Sequence, residues 1–217
     1  MKTSLRHLCA TFALFCMGVA LHAQLLPVKQ VTYTPFFFDT FKKATIHLEN
    51  GKTVYVPYCN ILYYNARIIC LVDNLLRHPT NKDVSSITFD DGTEFVHIKK
   101  QKMAQVIATH GNNSLLCLYS INTARYRLEH REAPSDVFSR DLEYYQLGGL
   151  YYEEDPNGIP LLSKFYFRVG NKIVPASKGN VSKLVRQDMR NTFELLIKER
   201  FDWNAPEDLK RLLRFFP

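Results

Sequence analysis

Short apolar runs separated by turn-forming residues dominate the chain from residue 44 onward. ATIHLENGKTVYVPY holds two strand-like runs around Asn50-Gly51, and SSITFDDGTEFVHIKK repeats the arrangement around Asp91-Gly92. In the first run Ile46 alternates with polar neighbours, which is typical of a strand with one buried face. Since Asn-Gly tolerates the positive φ angles of a type I′ turn, the pattern predicts two tight hairpins.

Three further segments carry the same signature. NILYYNARIICLVD divides at residues 65–67, MAQVIATHGNNSLLCLY has a loop at residues 110–113, and KFYFRVGNKIVPA turns at residues 170–171. Short strands at spacings of about 8–12 residues are typical of antiparallel β structures. We therefore expect an antiparallel β-meander that forms a curved sheet or an incomplete barrel.

The hydrophobic period changes near residue 177. Apolar residues then recur at the spacing of an amphipathic helix, at Val181, Leu184, Val185, Met189, Phe193, Leu196, Ile197 and Phe201. Asn204 and Glu207 have the spacing of a capping box. A second apolar stripe follows at Leu209, Leu212, Leu213 and Phe216. Strands followed by two C-terminal amphipathic helices indicate an α+β fold with the helices packed on or beside the sheet.

The N-terminal segment has the composition of a secretory signal peptide. Lys2 and Arg6 precede an uncharged, mostly apolar run at residues 8–21. A helix of that length rises about 21 Å, which is short of the roughly 30 Å hydrocarbon core of a bilayer. Ala23 supplies a small residue for cleavage. We predict a signal peptide at residues 1–23 in preference to an uncleaved membrane anchor.

The mature chain is then expected to form a single α+β domain over residues 24–217. Its strand-rich body occupies residues 44–176 and contains a polar, irregular excursion loop at residues 129–160. The helical end occupies residues 177–217. A chain of this length buries a core without disulfide staples.

The charge balance narrows the class of partner. The net charge is +7, and loss of Lys2 and Arg6 with the leader lowers it by two. A modest positive balance favours anionic surfaces such as lipid headgroups or acidic glycans, and in an exported chain it does not indicate nucleic acid. No second apolar run approaches the length of a transmembrane helix, so we expect no span in the mature chain.

Cysteine usage gives an odd count after cleavage. Cys59, Cys70 and Cys117 remain, and three cysteines cannot all pair within one chain. Cys70 and Cys117 lie in apolar runs, so we interpret them as buried hydrophobes. Cys59 lies near a strand end and is the best candidate for a bridge or an exposed thiol. Cys16 follows the bulky Phe15, which does not suit the small residue that lipoprotein processing requires.

The polar residues offer little chemistry. No CxxC or HExxH spacing indicates a metal site. His110 and Ser114 are close in sequence, but no GxSxG elbow frames the serine, and Gly, Asn and Ser are ordinary hairpin residues. The carboxylates at residues 153–155 lack the spacing of an EF-hand, so we interpret them as a solvated acidic turn rather than a calcium site. The sequence therefore predicts no catalytic residue, no metal ligand and no cofactor.

Aromatic pairs are the strongest sequence indication of a binding surface. They flank QLGGL in the excursion loop, at Tyr144, Tyr145, Tyr151 and Tyr152. Adjacent residues of a strand point to opposite faces, so a doublet places one ring outward. Exposed tyrosines suit contacts with sugars, peptides or proteins, because each has a large rigid surface and a hydroxyl. We predict these four tyrosines as ligand-binding residues, and packing in the core or at an edge remains the alternative.

Three segments also carry a resemblance. ATIHLENGKTVYVPY, DVSSITFDDGTEFVHIKK and VSKLVRQDMRNTFELLIKERFDWNAPEDLKRLLRFF together resemble a family of small exported proteins of Gram-negative bacteria that has no established function. Its members are similar in having a signal peptide, a strand-rich body and a closing helix. The resemblance implies export and this architecture, and it carries over no catalytic residue.

These observations favour a non-enzymatic interaction module of the bacterial envelope, in the periplasm or secreted. The expected partner is an envelope protein or a glycan. The alternatives are an envelope hydrolase whose site is assembled from sequence-distant residues, and a structural accessory protein held against the outer membrane. A concave site with convergent polar groups would favour an enzyme, whereas an exposed aromatic patch would favour a binding module.

Overall fold

A computed structural model gives the fold of most of the chain from residue 30 onward. The described residues are 30–73, 75–79, 83–99, 102–129 and 158–217. The predicted signal peptide lies outside these ranges, as does most of the predicted excursion loop.

The described residues form eleven strands, which make up nearly half of them. The strands are β1 (Val31–Thr32), β2 (Lys42–Leu48), β3 (Thr53–Leu62), β4 (Arg67–Val72), β5 (Leu75–Arg77), β6 (Val84–Phe89), β7 (Glu94–His97), β8 (Met103–His110), β9 (Asn113–Ile121), β10 (Ile159–Val169) and β11 (Lys172–Pro175). The helices are α1 (Thr123–Glu129), α2 (Lys178–Val181), α3 (Arg190–Lys198) and α4 (Pro206–Leu212), with 3₁₀ turns at Gln187–Met189 and Leu213–Phe215.

The strands form one antiparallel sheet, as predicted. Their order is β1-β10-β9-β8-β7-β6-β2-β3-β4-β5, and β11 pairs with β10. The two ends of this path, β1 and β5, do not pair with each other, so the sheet is open. The sheet is open and uncurled, so the expectation of a curved sheet or an incomplete barrel is wrong.

The segment that follows β1 crosses from one part of the sheet to another. β1 pairs with β10, yet the Phe37 N–H donates to the Ile61 carbonyl in β3 at 2.9 Å. The Tyr63 N–H donates to the Pro35 carbonyl at 2.9 Å. The Phe37 ring centroid lies 4.9 Å from that of Phe95 in β7. This segment therefore lies over the face of the sheet that holds most of the buried residues.

The described residues form three clusters of buried hydrophobic side chains, and the two largest lie on opposite faces of the sheet. The larger one, here called the main core, includes Phe37 and the alternate β9 residues Leu115 and Cys117. The smaller one, here called the second cluster, includes the intervening β9 residues Leu116 and Leu118. Strand β9 is therefore buried on both faces, which explains its nearly continuous apolar sequence.

The hairpins around Asn50-Gly51 and Asp91-Gly92 occur where the sequence predicts them, but their turns are not of type I′. The Leu48 N–H donates to the Lys52 carbonyl at 2.8 Å, and this hydrogen bond closes a loop of three residues. Within that loop only Gly51 has a positive φ, of 80°. Gly92 takes the same place in the next hairpin, with φ 83°. A three-residue loop needs positive φ only at its last residue. Asn50 instead accepts a hydrogen bond from the Lys52 N–H through its side chain.

The long C-terminal helix expected from the apolar ladder is broken into α2, a 3₁₀ turn and α3. Arg186 has an extended backbone with ψ 143°, and its N–H donates to the Phe215 carbonyl at 3.0 Å. This contact with a distant part of the chain replaces an intrahelical hydrogen bond and ends the helical path. The prediction of two amphipathic helices is therefore wrong, because the helical end consists of short segments.

The predicted capping box is also wrong. The residue before α4 is Ala205, and no side chain caps the helix. The Asp208 carboxylate accepts the backbone N–H of Asp202 at 3.0 Å, and the Asp202 side chain accepts the Asn204 N–H at 2.8 Å. These bonds order the turn before α4 in place of the expected exchange between Asn204 and Glu207.

The apolar stripes nevertheless pack as a helical cap on the sheet. Phe193, Leu196 and Leu212 belong to the main core, and the ring centroids of Phe167 in β10 and Phe216 are 5.0 Å apart. None of the helices in the described ranges has the length and apolar character needed to cross a bilayer.

Candidate functional site

An open polar cleft of about 680 Å³ is the first candidate site. Glu49 lines it from the β2–β3 turn, Ser85 and His97 line it from β6 and β7, and Ser114 and Arg168 line it from β9 and β10. The β8–β9 and β10–β11 turns complete its border. The cleft therefore contains an acid, an imidazole, a guanidinium and hydroxyl groups.

The sheet register separates His110 and Ser114, which are close in sequence within the THGNNS segment. His110 pairs with Asn113 and Thr109 pairs with Ser114, so the loop contains only residues 111–112 and is shorter than predicted. Consecutive residues of a strand point to opposite faces, so the side chains of His110 and Ser114 lie on different faces of the sheet. A histidine on the opposite face cannot act as the base for this serine.

The Ser114 hydroxyl has a different partner. It is almost completely buried, and its Oγ accepts a hydrogen bond from the Arg168 guanidinium at 3.0 Å. A guanidinium carries no acceptor and keeps its proton, so it orients the hydroxyl but cannot activate it as a nucleophile. Ser114 and Arg168 therefore act as a structural pair on the floor of the cleft.

The described ranges hold no group of three or more His, Cys, Asp or Glu side chains placed to bind a metal ion. His47 Nε2 lies 3.2 Å from the Thr88 hydroxyl, and His78 Nδ1 lies 3.0 Å from the Ile68 carbonyl. These two histidines have partners that account for their positions. The acidic stretch at residues 153–155 lies outside the described residues.

The tyrosines predicted to bind a ligand also lie outside the described residues. They are Tyr144, Tyr145, Tyr151 and Tyr152. Their proposed role stays a prediction.

The three cysteines of the mature chain are buried in the main core. This agrees with the prediction for Cys70 and Cys117, whereas the alternative of an exposed thiol at Cys59 is wrong. Burial raises the pKa of Cys117 to about 11, although hydrogen bonds with the side chains of Tyr119 and Ser163 act in the opposite direction. At neutral pH the Cys117 thiol is therefore protonated and unreactive.

A second candidate site lies on β3. Its residues 59–62 pair with β4, whereas residues 53–58 pair only with β2 in the described part of the chain. Tyr55 is 62% exposed and Tyr58 is 53% exposed. We call residues 53–58 the tyrosine edge.

Both tyrosines of this edge point away from the main core. Val56 and Cys59 pack in the main core, so their neighbours Tyr55 and Tyr58 point to the other face. The β2–β3 register shifts between these positions and accommodates Pro57 as an extra residue. The result is two exposed phenol rings on one side of an unpaired strand edge.

An open groove of about 510 Å³ adjoins the tyrosine edge. Tyr58 lines it together with Phe41, Lys43 and Asp91. Lys42 also lines the groove, forms an ion pair with Asp91 and lies 4.4 Å from the centroid of the Phe38 ring. The groove thus offers aromatic surface and cationic side chains next to free backbone groups.

Tyr55 and Tyr58 lie in the first predicted hairpin, and the hydrophobic pattern there did not indicate this surface. One signal was available. Proline has no N–H for a ladder hydrogen bond, so Pro57 within a strand pattern marks an edge position.

The described fold and its surfaces define an open antiparallel β-sheet protein with a short helical cap and an exposed aromatic strand edge. Comparisons with protein-family models, curated proteins and solved structures find no match to this chain. The resemblance to an exported Gram-negative family therefore stays a prediction.

Proposed function

We propose that this protein is a non-enzymatic interaction module exported to the bacterial envelope, and that it binds a protein partner at the tyrosine edge. The observation that carries the proposal is the edge of residues 53–58, which has no strand partner other than β2 among the described residues and carries the exposed Tyr55 and Tyr58. An unpaired strand edge presents backbone N–H and C=O groups that can pair with an added strand. The predicted leader supports export, and the net positive charge favours an acidic partner.

The chemistry of the edge favours a polypeptide over a glycan. Backbone hydrogen bonds along an added strand supply affinity, and the rings of Tyr55 and Tyr58 supply contact area at low entropic cost. Lys43 in the adjoining groove offers a cation to an acidic side chain of the partner. The expected partner is therefore an extended acidic segment of another envelope protein.

A pull-down from envelope extract with matched variants tests this surface. Tyr55→Lys places a charge on the edge, and Tyr64→Lys makes the same change at an exposed tyrosine in the β3–β4 turn. A partner identified by mass should bind the wild type and Tyr64→Lys, and its recovery should fall at least about tenfold with Tyr55→Lys. Equal loss with both variants would contradict a role for the edge.

Amide hydrogen exchange on the purified complex tests the mode of binding. Strand addition should slow exchange at the amides of residues 53–58 that point away from β2; the amides that bond to β2 are protected in the free protein, and Pro57 has no amide hydrogen. A partner that binds without protecting this segment, or whose binding is lost after glycosidase treatment, would overturn strand addition.

The alternative function is an envelope hydrolase that uses the polar cleft. The presence of Glu49, His97 and Arg168 in one cleft favours it, whereas the Arg168–Ser114 hydrogen bond argues against a serine nucleophile. A serine-reactive fluorophosphonate should leave the wild type unlabelled. Labelling that disappears in Ser114→Ala would establish the alternative.

A further inference from the structure

Cys59 and Cys70 face each other directly across the β3–β4 pair. They are partners in the antiparallel register, and their Sγ atoms lie 2.7 Å apart. Directly opposed residues of antiparallel strands have Cα atoms about 4.5–5.5 Å apart, within the range of about 4.4–6.8 Å found for disulfides. The backbone therefore already has the spacing that a covalent bridge needs.

We propose that Cys59 and Cys70 form an intramolecular disulfide bond in the exported protein. The third cysteine of the mature chain, Cys117, lies on β9 and has hydrogen bonds with Tyr119 and Ser163. Its position leaves it a free thiol. The pairing resolves the odd cysteine count as one bridge plus one buried thiol.

The reaction requires a disulfide-bearing oxidant, such as a thiol oxidase of the envelope or oxidised glutathione. A thiolate of one cysteine attacks the oxidant disulfide, which forms a mixed disulfide and releases one reduced thiol. The second cysteine then attacks the protein sulfur of the mixed disulfide, which closes the Cys59–Cys70 bond and releases the second thiol. Each protein thiol loses one proton and one electron. The oxidant disulfide gains these two protons and two electrons and is reduced to two thiols.

Burial sets the stage of folding at which this reaction takes place. Cys59 is completely buried and Cys70 is nearly so, so an oxidant reaches them only before the main core closes over this strand pair. The hydrogen bond with Cys70 and burial also raise the pKa of Cys59, which leaves little thiolate in the folded protein. The bond therefore forms during folding and then resists reduction.

The bridge lies where the tyrosine edge ends. Cys59 is the first β3 residue that pairs with β4, so a bond at this point fixes the register of that pairing. It keeps β4 from sliding along β3 and leaves residues 53–58 as the free segment. The bridge stands on the cysteine geometry alone, so its test does not depend on partner binding.

Refolding in a glutathione buffer followed by peptide mapping tests the bond. After refolding with oxidised glutathione and alkylation in denaturant, the map should contain a Cys59–Cys70 linked peptide pair and an alkylated Cys117. The linked pair should separate on reduction. Alkylation of all three cysteines, or a bridge to Cys117, would overturn the proposal.

Thermal unfolding of variants gives an independent measurement. A bridge that closes a loop of this size should raise the unfolding midpoint of the oxidised protein by about 6–12 °C over the reduced protein. This difference should vanish in the Cys59→Ala, Cys70→Ala double variant. It should persist in the control variant Cys117→Ala, which loses a buried thiol but keeps Cys59 and Cys70. A redox difference that survives in the double variant would contradict the assignment.

Discussion

The side chain of Asn60 holds the backbone of Phe38 by both of its polar groups. Asn60 Oδ1 accepts the Phe38 N–H at 3.0 Å, and Asn60 Nδ2 donates to the Phe38 carbonyl at 2.8 Å. Asn60 is completely buried. One amide side chain thus supplies the hydrogen bonds that a neighbouring strand would otherwise provide, and it fixes the segment that crosses the main core.

Replacing the Asn60 side chain should lower the free energy of unfolding. Asn60→Ala leaves the buried N–H and C=O of Phe38 without partners, and each unsatisfied buried group costs about 1–3 kcal/mol. We expect the free energy of unfolding to fall by about 2–5 kcal/mol, measured by urea denaturation. Asn50→Ala is the matched control, because it removes a single hydrogen bond at an exposed turn. A loss equal to that of the control would show that the crossing segment does not depend on Asn60.

The helical cap offers a pair of adjacent leucines with opposite environments. Leu196 is 7% exposed in the main core, whereas Leu195 is 63% exposed. Leu196→Ala should lower the free energy of unfolding by about 2–5 kcal/mol because it leaves a cavity. Leu195→Ala should change it by less than about 0.5 kcal/mol. Melting curves for both variants test whether the helical cap is part of the main core. An unchanged midpoint for Leu196→Ala would mean that the cap can separate from the sheet without unfolding it.

Acid should weaken the β6–β7 turn through Asp91. Burial alone would raise the pKa of Asp91, but hydrogen bonds from the Lys42 ammonium and the Thr93 N–H outweigh it and hold that pKa below its usual range. A carboxylate with a lowered folded-state pKa stabilises the protein above its unfolded-state pKa of about 4, and this contribution is lost as the pH falls through the folded-state value.

The difference in unfolding midpoint between wild type and Asp91→Asn should therefore be largest near pH 6 and shrink toward pH 3. Asp90→Asn, at the neighbouring exposed position, is the control and should show a smaller change with pH. A difference that stays constant over this interval would rule out the ion pair as its source.

Removing the hydroxyl from two buried tyrosines should change the free energy of unfolding in opposite directions. The buried Tyr63 hydroxyl has no hydrogen-bond partner among the described residues, and burial raises the pKa of Tyr63. Tyr63→Phe removes that unsatisfied group and should raise the free energy of unfolding by about 1 kcal/mol. Tyr119→Phe removes a hydrogen bond with Cys117 and should lower it by a similar amount. A loss of stability in Tyr63→Phe, measured by chemical denaturation, would show that its hydroxyl has a partner.

Local sequence signals were sufficient for the hairpins but not for the helical end. Gly51 and Gly92 lie at turns because the chain needs positive φ there, and this requirement is visible in the sequence. The break at Arg186 depends on its hydrogen bond with Phe215, which is far away in sequence. The hydrophobic periodicity of residues near Arg186 does not predict a hydrogen bond with a residue so distant in sequence.

The facing of Cys59 and Cys70 was not within reach of the sequence. The predicted turn at residues 65–67 would pair Tyr64 with Ile68 and place Cys59 opposite Asp73, whereas the observed register pairs Leu62 with Arg67 and Cys59 with Cys70. The position of β1 was also not within reach, because β1 precedes the predicted body and pairs with the distant strand β10. Such pairings follow from tertiary packing and not from local pattern.

The burial of β9 on both faces has a consequence for synthesis of the chain. The ribosome completes β9 before it makes β10, its partner along the whole length of the strand from Asn113 to Ile121. Until β10 emerges, an apolar strand with an unpaired edge is exposed, which is the kind of segment that aggregates or recruits a chaperone. A nascent chain that stalls before residue 159 therefore lacks the partner that shields β9, and the body becomes safe from aggregation only late in translation.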